Sequence, residues 1–448
     1  MLQPAFVALA IAFGLIALSV GIELATNGGL SFVVALPIAA VAGLLTALLA
    51  LTRFEAFVVA ALAMRATLDW SRGGGGAAAE GASRSGPGAA ALALLVIGAG
   101  VLWLLARHRH HTRDGIIPLE AVMGFFLGAA AVSVIGSAHL LTSLSELARF
   151  TSVVVMFFAL RRVLGHSRVW TDRALMAVYA SAIVPILVAA TQAAGHRGEL
   201  HAGGFARVRG TFVHPNPFAI YLTLLIIMGV ALLPHVQGWR RIALAVILAG
   251  CGVSLLLTYT RTGWLAVVVG VAVVGVLQTR WLLAVLLAGL VVLLVAVPSV
   301  SGRFADLSRD QHLSGTAGNS LVWRFEYWRD AVDLAKDRPL TGIGLKMTES
   351  AEGRKPHNDF VRAFAETGFI GFCAYLCLIA AVLRTAWLAI RTAQRGHDRG
   401  IAVGFAGCAV VLPLISFTSN VMSQGVILWY FFAFAAAAIS VTRPSPAA

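Results

Sequence analysis

Residues 281–297 read WLLAVLLAGLVVLLVAV, a run without a charged side chain that is nearly long enough to cross the hydrocarbon layer of a membrane as a helix. Similar runs recur along the 448-residue chain, which is 59% hydrophobic and only 12% charged. A soluble protein of this size could not bury so many apolar side chains. Because a backbone in lipid must satisfy its own hydrogen bonds, the runs are expected to be helices. The sequence therefore predicts an all-α, polytopic integral membrane protein.

The apolar runs predict about 12 to 14 transmembrane helices, the lower number applying if the short third run is re-entrant. The chain divides into N-terminal helices (1–200), core helices (201–298), a large polar loop (299–359) and C-terminal helices (360–448). The predicted spans are 5–23, 31–50, 54–69, 88–106, 118–138, 144–160, 172–194, 214–234, 239–258, 262–278, 280–298, 360–390, 398–418 and 423–441.

Arginine residues cluster in alternate loops, which the positive-inside rule assigns to the cytoplasm. Both termini are then cytoplasmic, and the chain start has no basic segment typical of a cleaved signal peptide. The external loops are 71–88, 195–213, 258–262 and 299–359. We expect a multi-pass protein of a bacterial inner membrane. The cytoplasmic arginine residues are Arg107, Arg109, Arg113, Arg161, Arg162, Arg168, Arg173, Arg240, Arg241, Arg384, Arg391, Arg395 and Arg399.

The formal net charge of +14 does not indicate nucleic-acid binding, because the arginine residues are scattered among the spans and form no basic domain. The four cysteines lie in apolar runs without ligand spacing and are interpreted as packing residues. The external segments contain no Asp-x-Asp pair and no His/Cys cluster, so we predict neither a metal nor a cofactor. Asp306 and Asp310 are the acidic residues that keep a metal ion as an alternative.

Three arginine residues of the external loops are candidates for chemistry, because arginine is usually scarce in such loops. Arg207 and Arg209 precede the span 214–234, and Arg261 lies in the turn between two spans. If the chain is extended there, Arg207 and Arg209 lie on one face. Planar guanidinium groups match pairs of phosphate oxygens, so these residues are candidates for binding a phosphate or diphosphate. The alternative is contact with lipid headgroups, and both interpretations fit the sequence equally.

His357 follows Pro356 and directly precedes an apolar span, which puts it near the N-terminus of a helix. The positive end of a helix and nearby cations disfavour the imidazolium form, so this histidine is expected to be neutral and able to accept a proton. A general base needs this property. The alternative is a histidine that caps the helix, although Asn358 or Asp359 is a better cap.

His357-Asn358, followed after nine residues by Gly368-Phe369-Ile370-Gly371, resembles the His-Asn-x9-Gly-x-x-Gly motif of O-antigen ligases. These membrane enzymes join O-antigen polysaccharide to lipid A core. Three further segments resemble the same superfamily and occur in the family's order, so the resemblance covers roughly residues 205–371. They are Arg207-Val208-Arg209-Gly210-Thr211-Phe212 with His214-Pro215-Asn216-Pro217, then Thr260-Arg261-Thr262-Gly263, and Arg324-Phe325-Glu326-Tyr327-Trp328 with Pro339-Leu340-Thr341-Gly342-Ile343-Gly344.

The resemblance implies a GT-C-like fold and a periplasmic, metal-independent, inverting glycosyltransfer. Undecaprenyl-diphosphate-linked O-antigen is the implied donor and lipid A core the implied acceptor. His357 corresponds to the catalytic histidine of the family, and Arg207 and Arg261 correspond to its diphosphate-binding arginine residues, with Arg209 as an additional candidate. The supporting or acceptor-binding candidates are Asn358, His214, Arg324, Arg329 and Lys346.

Three alternatives to ligation are considered. An O-antigen polymerase uses the same donor with a second lipid-linked glycan as acceptor, and a protein O-oligosaccharyltransferase uses a protein. Both belong to the same superfamily, whereas an exporter of lipid-linked glycan is a different class. Transporters place charged residues at the bilayer midplane and show repeat symmetry, and the candidate residues here cluster at one face. The motif favours the ligase.

Overall fold

The computed structural model describes residues 45–68, 87–108, 115–195, 200–202, 205–296, 322–352 and 356–442. Nearly all of them are helical, and one two-stranded antiparallel hairpin interrupts the helices. The helices and strands are α1 (Phe54–Arg65), α2 (Pro87–His108), α3 (Pro118–Val134), α4 (Leu140–Leu164), α5 (Arg168–Ala180), α6 (Ile183–Gly195), β1 (Leu200–Ala202), β2 (Phe205–Arg207), α7 (Pro215–Leu232), α8 (Gly238–Leu257), α9 (Arg261–Leu277), α10 (Trp281–Ala296), α11 (Val322–Leu334), α12 (Met347–Glu352), α13 (Asp359–Thr392), α14 (His397–Thr418) and α15 (Gly425–Ser440).

The helix content indicates a multi-pass membrane protein. Six helical segments are long and apolar enough to cross a membrane, and four shorter apolar helices accompany them within the described ranges. A helix of about 20 residues covers the hydrocarbon thickness. The six long segments are Gly88–Arg107, Arg168–Gly195, Pro215–His235, Gly238–Leu257, Asp359–Thr392 and His397–Thr418.

Most predicted spans coincide with helices. The spans 31–50 and 54–69 were expected to be separate. Residues 45–52 are helical, and the single non-helical residue Arg53, with a φ of −144° and a ψ of 61°, separates them from α1. A helix break therefore lies between the two predicted spans, and whether each crosses the membrane by itself remains a prediction. The span 5–23 and the loop 71–86 lie outside the described residues.

The bundle has two ends that differ in charge. At one end, called the arginine end, Glu120 of α3 accepts hydrogen bonds from Arg161 at 2.8 Å and Arg162 at 2.5 Å. Arg168 pairs with Asp398 at the same end, so α5 and α14 both begin there. These contacts connect segments that the positive-inside rule assigns to the same side of the membrane. The assignment of this end to the cytoplasm remains a prediction.

The opposite end, called the hairpin end, contains β1 and β2. Leu200 pairs with Arg207 across the hairpin. The segment after β2 is fixed to two helices, because Val208 N–H donates to the Leu257 carbonyl at 3.1 Å and Arg209 N–H donates to Gln192 Oε1 at 2.9 Å. The helices α7, α9, α13 and α15 all begin at this end, which therefore gathers most of the candidate residues.

Helix α13 is kinked at Gly368, whose φ of 66° and ψ of −169° interrupt the helical path. The loop 339–344 packs into the kink and supplies the missing backbone partners. Phe369 N–H donates to the Pro339 carbonyl at 2.8 Å, and Gly344 N–H donates to the Glu366 carbonyl at 3.1 Å. A Cβ on Gly368 would lie 2.5 Å from Thr341 N, so this position needs glycine. The segments 339–344 and 368–371, which are separate motifs in the sequence, thus pack together as one unit.

The polar loop contributes α11, which packs on α13. The sequence pattern predicts an apolar face formed by Val322, Phe325, Trp328, Val332 and Ala335. The structure buries Ala335 with Tyr327 and Ala331 against Ala365, and Trp328 is partly buried against the same cluster. Phe325 and Val332 are exposed. The buried face therefore shares Trp328 and Ala335 with the prediction and is rotated toward the small alanine side chains, which allow close approach to α13.

Candidate functional site

Arg207 lies at the end of β2 and is buried, with 6% of its surface exposed. Its Nε donates to the Thr258 carbonyl at 2.7 Å, and its Nη2 donates to Asn216 Oδ1 at 2.8 Å and Thr260 Oγ1 at 2.9 Å. Asn216 belongs to the first turn of α7, and Thr260 is the N-cap residue of α9. Arg207 therefore joins the N-termini of two helices and holds its guanidinium group in a fixed direction.

Arg209 has different surroundings from Arg207. β2 ends at Arg207, so Arg209 lies two residues beyond the strand, and a shared face of the two arginine residues remains a prediction. The Arg209 Nη1 donates to the Val213 carbonyl at 3.2 Å, and the residue is only partly buried. This burial lowers the pKa of the Arg209 guanidinium from its usual value, because a desolvated cation is less stable than a hydrated one. An anion placed there would offset that cost.

Arg261 is the first residue of α9 and is partly buried. The turn before it contains Tyr259 with a φ of 49°, and the Thr260 carbonyl accepts the hydrogen bond of Trp264 N–H at 3.1 Å. The first turn of a helix carries unpaired N–H groups and a partial positive charge. An arginine in that position adds a full charge to an end that already favours anions.

His214 is the N-cap residue of α7, since its Nδ1 accepts a hydrogen bond from Asn216 N–H at 3.2 Å. Pro215 follows in the first helical position, where its missing N–H has no cost. His214 thus acts structurally on the same turn that contacts Arg207. A supporting role for His214, by way of Asn216, remains a prediction.

His357 lies between a fixed proline and a capping asparagine. Asn358 is the N-cap of α13, and its Oδ1 accepts from Phe360 N–H at 2.9 Å and from Val361 N–H at 3.2 Å. The expectation that Asn358 rather than His357 caps this helix is therefore confirmed. The backbone of His357 has a φ of 50°, a strained region for a residue with a side chain, and the imidazole is half-buried.

Asp359 fixes the start of α13 to the loop between α14 and α15. The carboxylate is fully buried and accepts hydrogen bonds from Val421 N–H at 2.8 Å and Met422 N–H at 3.2 Å. On the other side of His357, Trp328 Nε1 donates to the Pro356 carbonyl at 2.6 Å. Contacts of the residues before and after His357 therefore fix the backbone at this position.

A buried ionic cluster lies one turn further along α13, and the sequence interpretation missed it. Arg362 donates to Glu146 Oε1 at 3.0 Å, to Glu366 Oε2 at 3.0 Å and to the Ser423 hydroxyl. Arg149 pairs with Glu146 at 2.5 Å. The available signal was the presence of Glu146, Arg362 and Glu366 within predicted spans, where charged residues are costly unless paired.

The three proposed acceptor-binding cations lie on the polar loop. Arg324 is half-buried in α11, and its burial lowers the pKa of the guanidinium. Arg329 is exposed on the same helix. Lys346 has a φ of 63°, and its Nζ lies 3.9 Å from Glu349 Oε2. They occur on two different segments, and no common binding surface follows from their contacts.

Arg207 and His357 lie at the same end of the bundle, and a chain of packing contacts connects the two regions. Thr211, four residues after Arg207, donates to the Ala66 carbonyl at 2.8 Å. The adjacent Arg65 and the side chain of Arg149 both approach Gly425, the first residue of α15. Arg149 in turn reaches the Glu146 and Arg362 pair near the start of α13.

Residues 243–376 match the O-antigen ligase family. The match confirms the resemblance and includes Arg261, Arg324, His357 and the Gly368 kink, while Arg207 and Arg209 precede it. A comparison with curated proteins finds no match.

Proposed function

We propose that this protein is an O-antigen ligase that transfers O-antigen polysaccharide from undecaprenyl diphosphate to a sugar hydroxyl of lipid A core. The transfer takes place at the hairpin end, which we assign to the periplasmic side of a bacterial inner membrane. The observation that best supports the proposal is the arrangement of His357, which is relieved of capping by Asn358 and lies at the same end as Arg207, Arg209 and Arg261.

His357 acts as the general base in this proposal. It takes the proton from the acceptor hydroxyl while the hydroxyl oxygen forms a bond to the anomeric carbon of the donor sugar. The bond between that carbon and the diphosphate oxygen breaks, and the electron pair leaves with the diphosphate. Attack opposite the leaving group inverts the anomeric centre. No metal ion is required by this scheme, because cationic side chains can stabilise the departing charge.

The three arginine residues have different roles in binding the diphosphate. Arg209 and Arg261 are only partly buried, and we assign the direct contacts to them. Arg207 is committed to the Thr258 carbonyl, Asn216 and Thr260, so it organises the two helix starts and adds positive potential. Arg324, Arg329 and Lys346 are assigned to the phosphate groups of the lipid A core because of their position on the polar loop.

The test is transfer of glycan from purified lipid-linked O-antigen to purified lipid A core, with and without a chelator. We expect activity in chelator and a loss of about 10²-fold to 10⁴-fold for His357→Ala, the range for removing a general base. His166→Ala at the arginine end is the matched control and should retain activity. An active His357→Ala variant would refute the proposed base, and inactivation by chelator would refute the metal-free scheme.

The identity of the product separates ligation from its relatives. Glycan joined to lipid A core supports the ligase, and a longer glycan on the lipid carrier assigns the protein to the polymerases. Glycan on a protein acceptor assigns it to the protein O-oligosaccharyltransferases. Movement of intact lipid-linked glycan across vesicles without transfer would indicate an exporter.

A further inference from the structure

A row of aromatic side chains borders His357. Phe325 and Trp328 of α11 have ring centroids 5.0 Å apart, and Trp328 lies 5.6 Å from Phe417 at the end of α14. Phe417 lies 6.4 Å from Phe360, which belongs to the first turn of α13. The row, defined as Phe325, Trp328, Phe417 and Phe360, therefore crosses from the polar loop to the helix that begins beside His357.

The outer part of this row is open to its surroundings. Phe325 is 64% exposed and Phe417 is 53% exposed, so both rings can contact a partner. The exposed Arg329 lies four residues after Phe325, on the same face of α11. An aromatic surface next to a guanidinium group is suited to a polar ligand with an apolar face.

The row is coupled to His357 through the backbone. Trp328 Nε1 donates to the carbonyl of Pro356, the residue before the histidine, at 2.6 Å. On the other side, Phe360 donates its N–H to the Asn358 side chain at 2.9 Å. A ligand lying on these rings would therefore lie beside the Pro356–Asn358 segment that contains His357.

We propose that this aromatic row binds a pyranose ring of the acceptor glycan, an inference that depends on the proposed ligase function. The axial C–H groups of a pyranose form one apolar face with partial positive charge, which complements the negative face of an aromatic ring. The hydroxyl groups at the rim of the sugar can bond to Arg329. This pattern of an apolar face with a few polar groups is typical of small-ligand sites.

The acceptor is the appropriate occupant because of where the row lies. Arg207 is bonded to α7 and the turn before α9, and the diphosphate of the donor is assigned to that region. The aromatic row belongs to α11, α13 and α14 and adjoins the base that deprotonates the acceptor hydroxyl. A sugar stacked here places its neighbouring hydroxyl group near His357.

The test compares substitutions that keep apolar area but remove the aromatic face. Phe325→Leu and Phe417→Leu should raise KM for lipid A core about fivefold to tenfold, with KM for the lipid-linked donor unchanged. Phe325→Trp should preserve both constants. Phe369→Leu is the matched control, because Phe369 is 55% exposed on α13 beyond the kink. Binding of a fluorescent, lipid-free core oligosaccharide without donor should weaken by the same factor in the two leucine variants.

The outcomes separate this proposal from the proposed function. Leucine variants with unchanged acceptor KM and oligosaccharide binding would show a packing or lipid contact and overturn the sugar site. A rise in donor KM alone would overturn the acceptor assignment. If the wild-type protein performs no transfer but binds the oligosaccharide in a Phe325-dependent way, the ligase function fails while the sugar site stands.

Discussion

Arg207 and Arg362 are both buried arginine residues at the hairpin end, yet their partners differ in charge. Arg207 donates to a backbone carbonyl, an asparagine and a threonine. Arg362 donates to two carboxylates and a serine. The bonds of Arg207 to the Thr258 carbonyl, Asn216 and Thr260 set its direction through neutral groups, whereas Glu146 and Glu366 pair their charges with Arg362. Buried arginine residues therefore organise two regions of this end, one through neutral partners and one through carboxylates.

This difference predicts two kinds of variant. Changes in the Arg362 cluster should lower stability first, because they leave buried charges without partners. Changes at Arg209 and Arg261 should lower transfer while the fold persists, because these two residues are proposed to contact the leaving diphosphate.

Arg362→Met should lower the free energy of unfolding by about 3–5 kcal/mol, since it leaves Glu146 and Glu366 buried without their shared cation. The measurement is thermal or denaturant unfolding in detergent. Arg329→Met is the control, because Arg329 is exposed. Adding Glu146→Gln to Arg362→Met should recover part of the loss. An unchanged unfolding transition in Arg362→Met would show that the Arg362 cluster does not stabilise the fold.

Arg261→Ala should reduce the rate of transfer about 10²-fold to 10³-fold, as for loss of one group that stabilises developing negative charge. Its melting temperature should match that of the wild type. Arg240→Ala at the start of α8, on the arginine end, is the control and should keep full activity. If Arg261→Ala unfolds at a clearly lower temperature, Arg261 stabilises the fold, as Arg362 does.

Gly368→Ala should destabilise the protein by about 1–3 kcal/mol from backbone strain alone. The φ of 66° is unfavourable for alanine, and its Cβ would press on the loop 339–344. Unfolding measurements should be compared with Gly289→Ala in α10, where a Cβ meets open space and helix propensity favours alanine. Equal stability of the two variants would show that the interlock at Gly368 contributes little.

Asn358→Ala should cost about 1 kcal/mol, the usual effect of removing an N-cap, and Asn358→Asp should retain stability because it can accept the same bonds. Transfer activity should fall in the alanine variant and persist in the aspartate variant if the cap fixes the conformation of His357. Full activity in Asn358→Ala would show that other contacts, such as Trp328 with Pro356, suffice.

Local sequence determined the helices and the candidate residues. Hydropathy over windows of about 20 residues identifies helices because each helix satisfies its own backbone and needs an apolar surface in lipid. The cap at Asn358, the turn before Arg261 and the clustering of Arg161, Arg162 and Arg168 at one end follow from signals a few residues long. At α11 the sequence pattern identified Trp328 and Ala335 but not Tyr327 and Ala331, because the buried face of that helix depends on a partner helix.

Only the tertiary structure decided which residues meet across large separations. Arg362 and Glu146 are 216 residues apart in the chain, and Arg207 and Thr260 are 53 residues apart. No local periodicity encodes such pairs, because helix formation fixes neighbours at three and four positions, while the order in which helices pack fixes the rest. For the same reason, the sequence could propose Arg207 as a phosphate ligand but could not show that three neutral oxygens already hold it in place.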